Sequence, residues 1–267
     1  PTGYDSHDSQ KSREGRYCVI CGQELHYQRY HYAQLGEFAC PGCGNHNPPA
    51  DFTGHDLVME PTIELQVDDI YLDSPYQGFY NAYNILAAVS AARLLGINGP
   101  PIQRAIASYQ PQAGRMETFT INGRPTVLIL VKNPTGFNQS LATVVQNQSV
   151  KNLLLALNDN PGDGRDISWI WDADIEIIGN DKNQIKQVVC SGLRSGDMAL
   201  LIKYAGYPLN RLLIKSNLKE GIEYISSLDS EVNYILSTYS ALFTCRRILL
   251  GLQKRSRTIP ARVPARG

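Results

Sequence analysis

Hydrophobic positions in the second half of the chain come in short continuous runs rather than in alternation with polar positions. These runs cover residues 126–131, 152–157, 186–190, 211–214 and 233–237. Helical patterns separate most of them, at residues 138–147, 195–205, 217–228 and 239–252. Strands that are apolar on both faces are typical of a parallel sheet covered by helices on both sides. The pattern therefore predicts a Rossmann-like, mostly parallel α/β domain over residues 113–252.

A β-hairpin is predicted just before these runs, because Asn122-Gly123 is the preferred pair for a type I′ turn between two strands. Further upstream, residues 62–67 are predicted as a strand and "DDIYLDSPYQG" as a loop. Residues 79–96 follow as a buried helix, and a short helix opens at Pro100 and Pro101. Residues 51–112 show too few strands for an independent α/β domain, and we expect them to be the end of a domain whose beginning lies outside this chain.

Four cysteines near the start of the chain have the spacing of a zinc site. Cys18 and Cys21 form one CxxC pair and Cys40 and Cys43 another, with eighteen residues between the pairs. Two such pairs can close a tetrahedral Zn²⁺ site, and four thiolates leave no open position for catalysis. We therefore expect residues 17–50 to be a zinc ribbon with a structural ion, the alternative being a pair of redox dithiols.

Two further cysteines, Cys190 and Cys245, lie in apolar surroundings and are predicted to be buried in the core. The polar residues 1–16 are expected to be poorly ordered, and residues 253–267 to form a basic, solvated tail.

The charge balance argues against nucleic acid as the main partner. Lys plus Arg and Asp plus Glu both number 25, so the net charge is +0, whereas proteins that bind phosphate backbones usually show a basic excess. The sequence has no apolar run long enough to cross a membrane and no signal-peptide pattern at its start, which leads us to expect a cytoplasmic location.

Polar, glycine-bearing loops follow three of the predicted strands: "KNPTG", "NDNPGDGRD" and "SGLRSGD". Ligands of open parallel sheets bind at the carboxyl ends of the strands, so these loops mark a candidate site. The second loop leads into "DGRDISWIWD", which holds both tryptophans of the chain and three aspartates. This segment is either a structural turn or the support of a working carboxylate.

Several motifs together resemble one enzyme family. "YNAYNILAAVSAARLLG" resembles the adenine-side helix of the Mur ligases, and "GRME" with "LILVKNPTGFNQSL" resembles the entrance to their third domain. With the cysteine pairs, "DGRDISWIWDADIE" and "CSGLRSGDMALLIKYAG", the chain resembles the MurT family, the ligase-like subunits of lipid II isoglutaminyl synthase. The resemblance covers nearly all of residues 17–252 and implies a Mur-ligase-like central-domain remnant ahead of the α/β domain.

The resemblance implies ATP-dependent amidation of the α-carboxyl of D-glutamate in lipid II, giving D-isoglutamine. ATP with Mg²⁺ would turn the carboxylate into an acyl phosphate that ammonia attacks, at the inner face of the membrane. Ammonia would come from glutamine through GatD, a separate glutaminase subunit with a Cys-His pair. No G-x-x-x-x-G-K-[ST] sequence occurs, so we expect this chain alone to be incomplete as an ATP-hydrolysing enzyme.

In the family, an aspartate of the ligase-like subunit is thought to complete the partner's catalytic triad, and Asp166 is the matching position. In an extended segment, Ile167, Trp169 and Trp171 would share one face that anchors the loop, and Asp166 would point outward with Ser168. The alternative is that Asp166 is a turn residue that hydrogen-bonds its own backbone, although Asp163, followed by glycine, suits a turn better.

For ATP, the resemblance points to Asn81 and Asn84, which are one helical turn apart, as amides near the adenine. It points also to Arg115 and Lys132 near the phosphates. The alternative roles are helix-surface amides for Asn81 and Asn84, and a salt bridge beside the hairpin for Arg115. For Lys132 the alternative is a solvated loop lysine. Asn133 and Thr135 are more simply helix-capping groups.

Two other functions stay open at this stage. A self-sufficient Mur-type ligase that joins an amino acid would act without glutamine. A non-enzymatic module would use the ribbon to bind nucleic acid, with a salt-dependent affinity.

Overall fold

The computed structural model describes residues 15–32, 35–59, 62–76, 79–109, 113–180 and 184–258. The expectations for the first fourteen residues and for the last nine lie outside the described residues. The chain divides into two compact units, Pro1–Gln110 and Pro111–Gly267.

Within its described residues, the first unit has two small antiparallel sheets and two helices. Its elements are β1 (His26–Tyr32), β2 (Leu35–Ala39), β3 (Gly54–Val58), β4 (Ile63–Val67), β5 (Ile70–Ser74), α1 (Phe79–Leu94) and α2 (Gly99–Ser108). Strands β1 and β2 form the hairpin between the two cysteine pairs. Strands β3, β4 and β5 form a sheet in that order, and its buried side chains pack with those of α1 and α2 into one core.

The prediction of a loop over residues 68–78 is wrong, because β5 occupies much of it. Asp68, with a φ of 50°, and Asp69 form a two-residue turn that pairs Val67 with Ile70. Side chains in β5 then alternate between buried and exposed. The two aspartates and the exposed Tyr71 and Asp73 gave the segment a polar composition that hid this alternation.

The second unit is built on a six-stranded sheet. Its elements are β6 (Glu117–Ile121), β7 (Arg124–Leu130), α3 (Pro134–Gln146), β8 (Lys151–Ala156), α4 (Glu176–Asn180), β9 (Ile185–Ser191), α5 (Ser195–Tyr204), β10 (Leu212–Ile214), α6 (Leu218–Ser227), β11 (Val232–Ser237) and α7 (Tyr239–Thr258). The strand order is β10-β9-β8-β11-β7-β6, and only β6 runs antiparallel to its neighbour. This sheet confirms the predicted mostly parallel α/β architecture.

The continuous apolar runs have the predicted cause, since every residue of β8 and of β11 is buried. One core cluster joins the sheet to α3, α4 and α5, and a second joins it to α6 and α7 on the other face. Asn122 and Gly123 have φ values of 52° and 77°, as a type I′ turn requires, which confirms the hairpin between β6 and β7. Helix α7 continues to Thr258, six residues beyond its predicted end and into the segment expected to be a tail.

Candidate functional site

The carboxyl edge of the parallel sheet has a topological switch point between β8 and β11. The chain leaves β8 towards the face covered by α3, α4 and α5, and leaves β11 towards the face covered by α7. Adjacent connections that diverge in this way open a crevice, which is where ligands of such sheets bind. The loop after β8, which carries the aspartates singled out from the sequence, starts at this crevice.

Asn158 ties three loops together at this edge. Its backbone N–H donates to Thr238 Oγ1 at 3.0 Å and its side-chain amide donates to Ser240 Oγ at 3.0 Å. Its side-chain oxygen accepts from the Leu193 N–H at 2.9 Å. Asn158 is almost fully buried, so these bonds fix the loops after β8, β9 and β11 relative to one another. Asn158 was not among the predicted site residues, although a polar side chain soon after an apolar strand was the signal for it.

Asp163 holds the same loop against the start of α7. Its carboxylate accepts from the Ser240 N–H at 2.7 Å, from the Ser240 hydroxyl, and from the Asn160 N–H at 3.2 Å. Ser240 lies in the first turn of α7, where backbone N–H groups have no partner within the helix and a negative charge is stabilised. Asp163 is thus a turn residue, as expected, and in addition caps a helix 77 positions further along the chain.

Asp166 lies on the exposed part of this loop. One carboxylate oxygen accepts from the Ser168 N–H at 2.8 Å, which is the contact that the turn alternative requires. This bond, together with the Ser168 hydroxyl, lowers the pKa of Asp166 below its ordinary value, because both donors favour the charged form. A carboxylate can accept about four hydrogen bonds, so Asp166 keeps acceptor capacity for a further donor while it remains ionised at neutral pH.

The extended conformation expected after Asp166 is wrong. Residues Ser168–Asp172 form a turn of 3₁₀ helix, so the two tryptophans point in different directions. Trp169 packs edge-on against the buried Phe137 with ring centroids 6.0 Å apart, and Ile170 is fully buried. Trp171 is instead 50% exposed and lies edge-on to Tyr204. The segment is therefore anchored by Trp169 and Ile170, not by the two indoles together.

Arg115 and Lys132, the expected phosphate-side residues, both lie in the second unit. Both are exposed, and within the described part of the chain neither has a hydrogen-bond or ion-pair partner. The salt bridge beside the hairpin is made by Arg246, whose Nε lies 2.9 Å from Glu117 Oε1. Lys132 follows the end of β7, next to β11 in the sheet, and Asn133 caps α3 by accepting from the Gly136 N–H, as expected.

Asn81 and Asn84, the expected adenine-side residues, lie on α1 in the first unit. Asn81 is buried and Asn84 is exposed, and the Asn84 amide donates to the Asn81 side-chain oxygen at 3.2 Å. The two residues therefore share a helix face, but only Asn84 lies on the surface, as the helix-surface alternative expected.

The four cysteines Cys18, Cys21, Cys40 and Cys43 form a cluster, called here the four-cysteine cluster, in which all the sulfur atoms lie within 4.8 Å of one another. The Sγ atoms of Cys18 and Cys43 are 3.6 Å apart, and those of Cys21 and Cys40 are 3.4 Å apart. Tetrahedral coordination by four thiolates with metal–sulfur bonds of about 2.3 Å gives S···S distances of about 3.8 Å, so the four-cysteine cluster is a possible metal site.

The two cysteine pairs have the same backbone geometry. Gly22 and Gly44 follow them with φ values of 75° and 74°, and donate to the carbonyls of Cys18 and Cys40 at 2.8 and 3.0 Å. Backbone N–H groups of Cys21 and Ile20 lower the pKa of Cys18 to about 6, because they stabilise its thiolate. The cluster therefore has the sulfur–sulfur distances that a tetrahedral metal site needs.

No helix in the part of the chain that the structure describes is long and apolar enough to cross a membrane. Burial raises the pKa of both Cys190 and Cys245 to about 12, and both side chains are fully buried, which confirms their expected place in the core.

Sequence comparisons connect the chain to a named family. Residues 130–242 match a family model described as MurT ligase C-terminal. The MurT subunit of lipid II isoglutaminyl synthase (glutamine-hydrolyzing) from Streptococcus pneumoniae is 34% identical over 242 residues, 90% of this chain and 54% of that protein. The subunit of the same name from Staphylococcus aureus is 36% identical over 202 residues, 75% of this chain and 46% of that protein. The chain spans about half the length of the curated relatives it matches.

Solved structures show the same fold at lower identity. A pseudomurein peptide ligase type C from Methanothermus fervidus superposes with a TM-score of 0.64 at 20% identity, covering 89% of this chain and 49% of that one. MurF ligase from Thermotoga maritima in complex with ADP superposes with a TM-score of 0.55 at 14% identity, covering 78% of this chain and 47% of that one. The solved structures thus show a Mur ligase-like fold, and the sequence matches to MurT subunits show that the chain belongs to the MurT family.

Proposed function

We propose that this chain is part of the ligase subunit of a two-protein amidotransferase, which converts the α-carboxyl of D-glutamate in lipid II to its amide. The observation that carries the proposal is the 34% identity to a MurT subunit over 90% of the chain. The glutamine-hydrolysing partner, GatD in the family, would supply ammonia. The reaction would take place at the cytoplasmic face of the membrane, because it needs ATP and because its acceptor, lipid II, is bound to the membrane.

The need for ATP follows from the chemistry of the acceptor. A carboxylate does not react with an amine unless its oxygen is first made a leaving group, and ATP with Mg²⁺ supplies that activation when bound. Arg115 and Lys132 suit the phosphates, because both are exposed cations whose charge is not taken by an acid of the described chain. A MurF ligase of the same fold was solved with ADP, which supports a nucleotide here.

For Asp166 we propose a role in the partner's active site. A glutaminase that uses a Cys-His pair works better when a carboxylate orients the imidazole and stabilises its charged form. Asp166 is exposed and ionised, and its loop is fixed by Asn158, Asp163 and the 3₁₀ turn. A carboxylate held in this way can be presented to another protein with little loss of entropy on binding. The hydrogen bond from the Ser168 N–H to Asp166 Oδ1 supports a fixed orientation of this carboxylate.

For the four-cysteine cluster we propose a structural zinc ion. All four ligands come from the protein, so no position remains for water or substrate, and the ion would brace the β1–β2 hairpin.

The experiment mixes this chain with the glutaminase subunit of the same organism and measures co-elution and glutamine hydrolysis. We expect the two proteins to co-elute and the glutaminase rate to rise. Asp166→Asn should lower that rate by about 100-fold or more while co-elution is kept, since it removes the charge and not the shape. Asp172→Asn, on an exposed aspartate of the same segment, is the matched control and should leave the rate unchanged.

The outcomes separate the alternatives. Equal rates for wild type and Asp166→Asn would show that Asp166 is not part of the partner's triad. Amino-acid ligation that needs no glutamine would favour a self-sufficient ligase, and a salt-dependent affinity for nucleic acid without partner binding would favour a binding module.

A further inference from the structure

Four large apolar side chains lie exposed on one side of the second unit. Leu200 and Tyr204 are one turn apart on α5, Leu193 lies just before this helix, and Trp171 projects from the 3₁₀ turn. Their exposed fractions are 45% for Leu200, 72% for Tyr204, 65% for Leu193 and 50% for Trp171. The rings of Trp171 and Tyr204 are 5.9 Å apart, so the two elements form one surface. We call these four residues the Trp171–Tyr204 patch.

The patch is not needed for the core of the second unit. Helix α5 already buries Met198, Leu201 and Ile202 against the sheet. A surface helix normally has polar residues on its outer side, and one that is apolar on both sides is usually covered by something. The core of this unit therefore leaves Leu200 and Tyr204 exposed on the outer side of α5.

The size and composition of the patch suit a protein interface. Full burial of an aromatic side chain covers about 150–250 Å², so the exposed fractions amount to roughly 400 Å² in total. Exposed apolar surfaces of that size on single proteins are often functional, and tryptophan and tyrosine are enriched where binding energy concentrates. Arg194 and Asp197, paired at 3.0 Å beside Leu193 and Leu200, supply a polar rim.

The position of the patch identifies its occupant. Trp171 is five residues from Asp166, and four of these residues belong to a 3₁₀ turn that rises about 2 Å per residue, so the two lie within roughly 15 Å. A standard interface covers about 800 Å² on each partner, which is a disc of about 16 Å radius. An interface of that size that includes Asp166 is therefore wide enough to include Trp171 and the Tyr204 ring packed against it.

From this geometry we propose that the Trp171–Tyr204 patch is the hydrophobic centre of the docking surface for the glutaminase subunit. This inference rests on the proposed function, and it adds which face of the sheet binds the partner. Contact with Asp166 then aligns the catalytic groups, while the patch supplies the affinity.

The experiment measures the dissociation constant between this chain and the glutaminase subunit by calorimetry, for variants on the two faces of the sheet. Tyr204→Glu and Leu200→Glu place a charge in the patch. Phe243→Glu is the matched control, because Phe243 is 55% exposed and lies on α7, on the opposite face. We expect Tyr204→Glu and Leu200→Glu each to weaken binding at least tenfold, and Phe243→Glu to change it less than twofold. Circular dichroism identifies any variant that fails to fold, and Tyr204→Glu, at the more exposed position, then carries the test.

Each other outcome overturns the inference. If wild type binds but both patch variants bind equally well, the docking surface lies elsewhere. If only Phe243→Glu weakens binding, the partner docks on the α7 face. If the patch variants instead dissolve a dimer of this chain and leave partner binding intact, a second copy is the occupant. If the wild-type chain does not bind the glutaminase subunit at all, the proposed function itself is refuted. If Asp166→Asn binds the glutaminase subunit with wild-type affinity, docking and catalysis depend on different residues.

Discussion

Replacing Asp163 with alanine should release the loop that carries Asp166 from α7. The carboxylate of Asp163 accepts three hydrogen bonds, two from Ser240 and one from Asn160, at the amino end of α7. Loss of a capping side chain costs about 1 kcal/mol, and loss of the charge at a helix amino terminus about 0.5 kcal/mol. A third bond to a charged acceptor brings the total to about 2 kcal/mol for this half-buried group. The population of the open loop should therefore rise roughly 30-fold.

Both tryptophans of the chain, Trp169 and Trp171, lie a few residues after Asp163, so tryptophan emission reports on this segment. With a urea dependence of about 2 kcal/mol per M, the midpoint of the emission transition should fall by about 1 M urea. Circular dichroism, which reports on the whole chain, should shift less. Asp172→Ala, at an exposed position of the same segment, should move neither midpoint. Coincident emission and dichroism midpoints that match wild type would refute the role given to Asp163.

Three further predictions concern other parts of the chain. The protein should contain about one zinc ion per chain by elemental analysis, and a strong chelator should unfold the β1–β2 hairpin without changing tryptophan emission, because both indoles lie in the other unit. Gly192→Ala should lower the free energy of unfolding by at least about 2 kcal/mol in urea titrations, since Gly192 has a φ of 88° and its new Cβ would lie 2.6 Å from the Leu157 carbonyl oxygen. Cys190 and Cys245 should not react with a thiol reagent at pH 8 in the folded protein, because a pKa of about 12 keeps both thiols protonated well above that pH, and both should react once urea unfolds the chain.

Much of the second unit could be predicted from the sequence because its signals are local. The apolar runs at residues 153–156 in β8 and 234–236 in β11 are what burial on both faces requires, and Asn122-Gly123 has the chemistry of its turn. The spacing of the cysteine pairs likewise predicted a cluster that the structure brings together.

The segment after Asp166 could not be predicted from alternation. Tryptophans two positions apart imitate a strand, but the Asp166 carboxylate binds the Ser168 N–H, and such local side-chain to backbone bonds favour a turn over an extended chain. The roles of Asn158 and Asp163 were hidden for a different reason. Their partners at Ser240 lie 82 and 77 residues away, and no local pattern encodes contacts of that range.

The central claim is that Asp166 acts across a subunit boundary on the histidine of a glutaminase. The measurement that tests it most directly is the distance from the Asp166 carboxylate to the nearest imidazole nitrogen of the partner, in a solved structure of the complex. We predict a hydrogen bond of about 3 Å, with Ser168 still donating to the same carboxylate. A carboxylate bound only to Ser168, with every partner histidine beyond about 6 Å, would contradict the claim, because no hydrogen bond spans that distance.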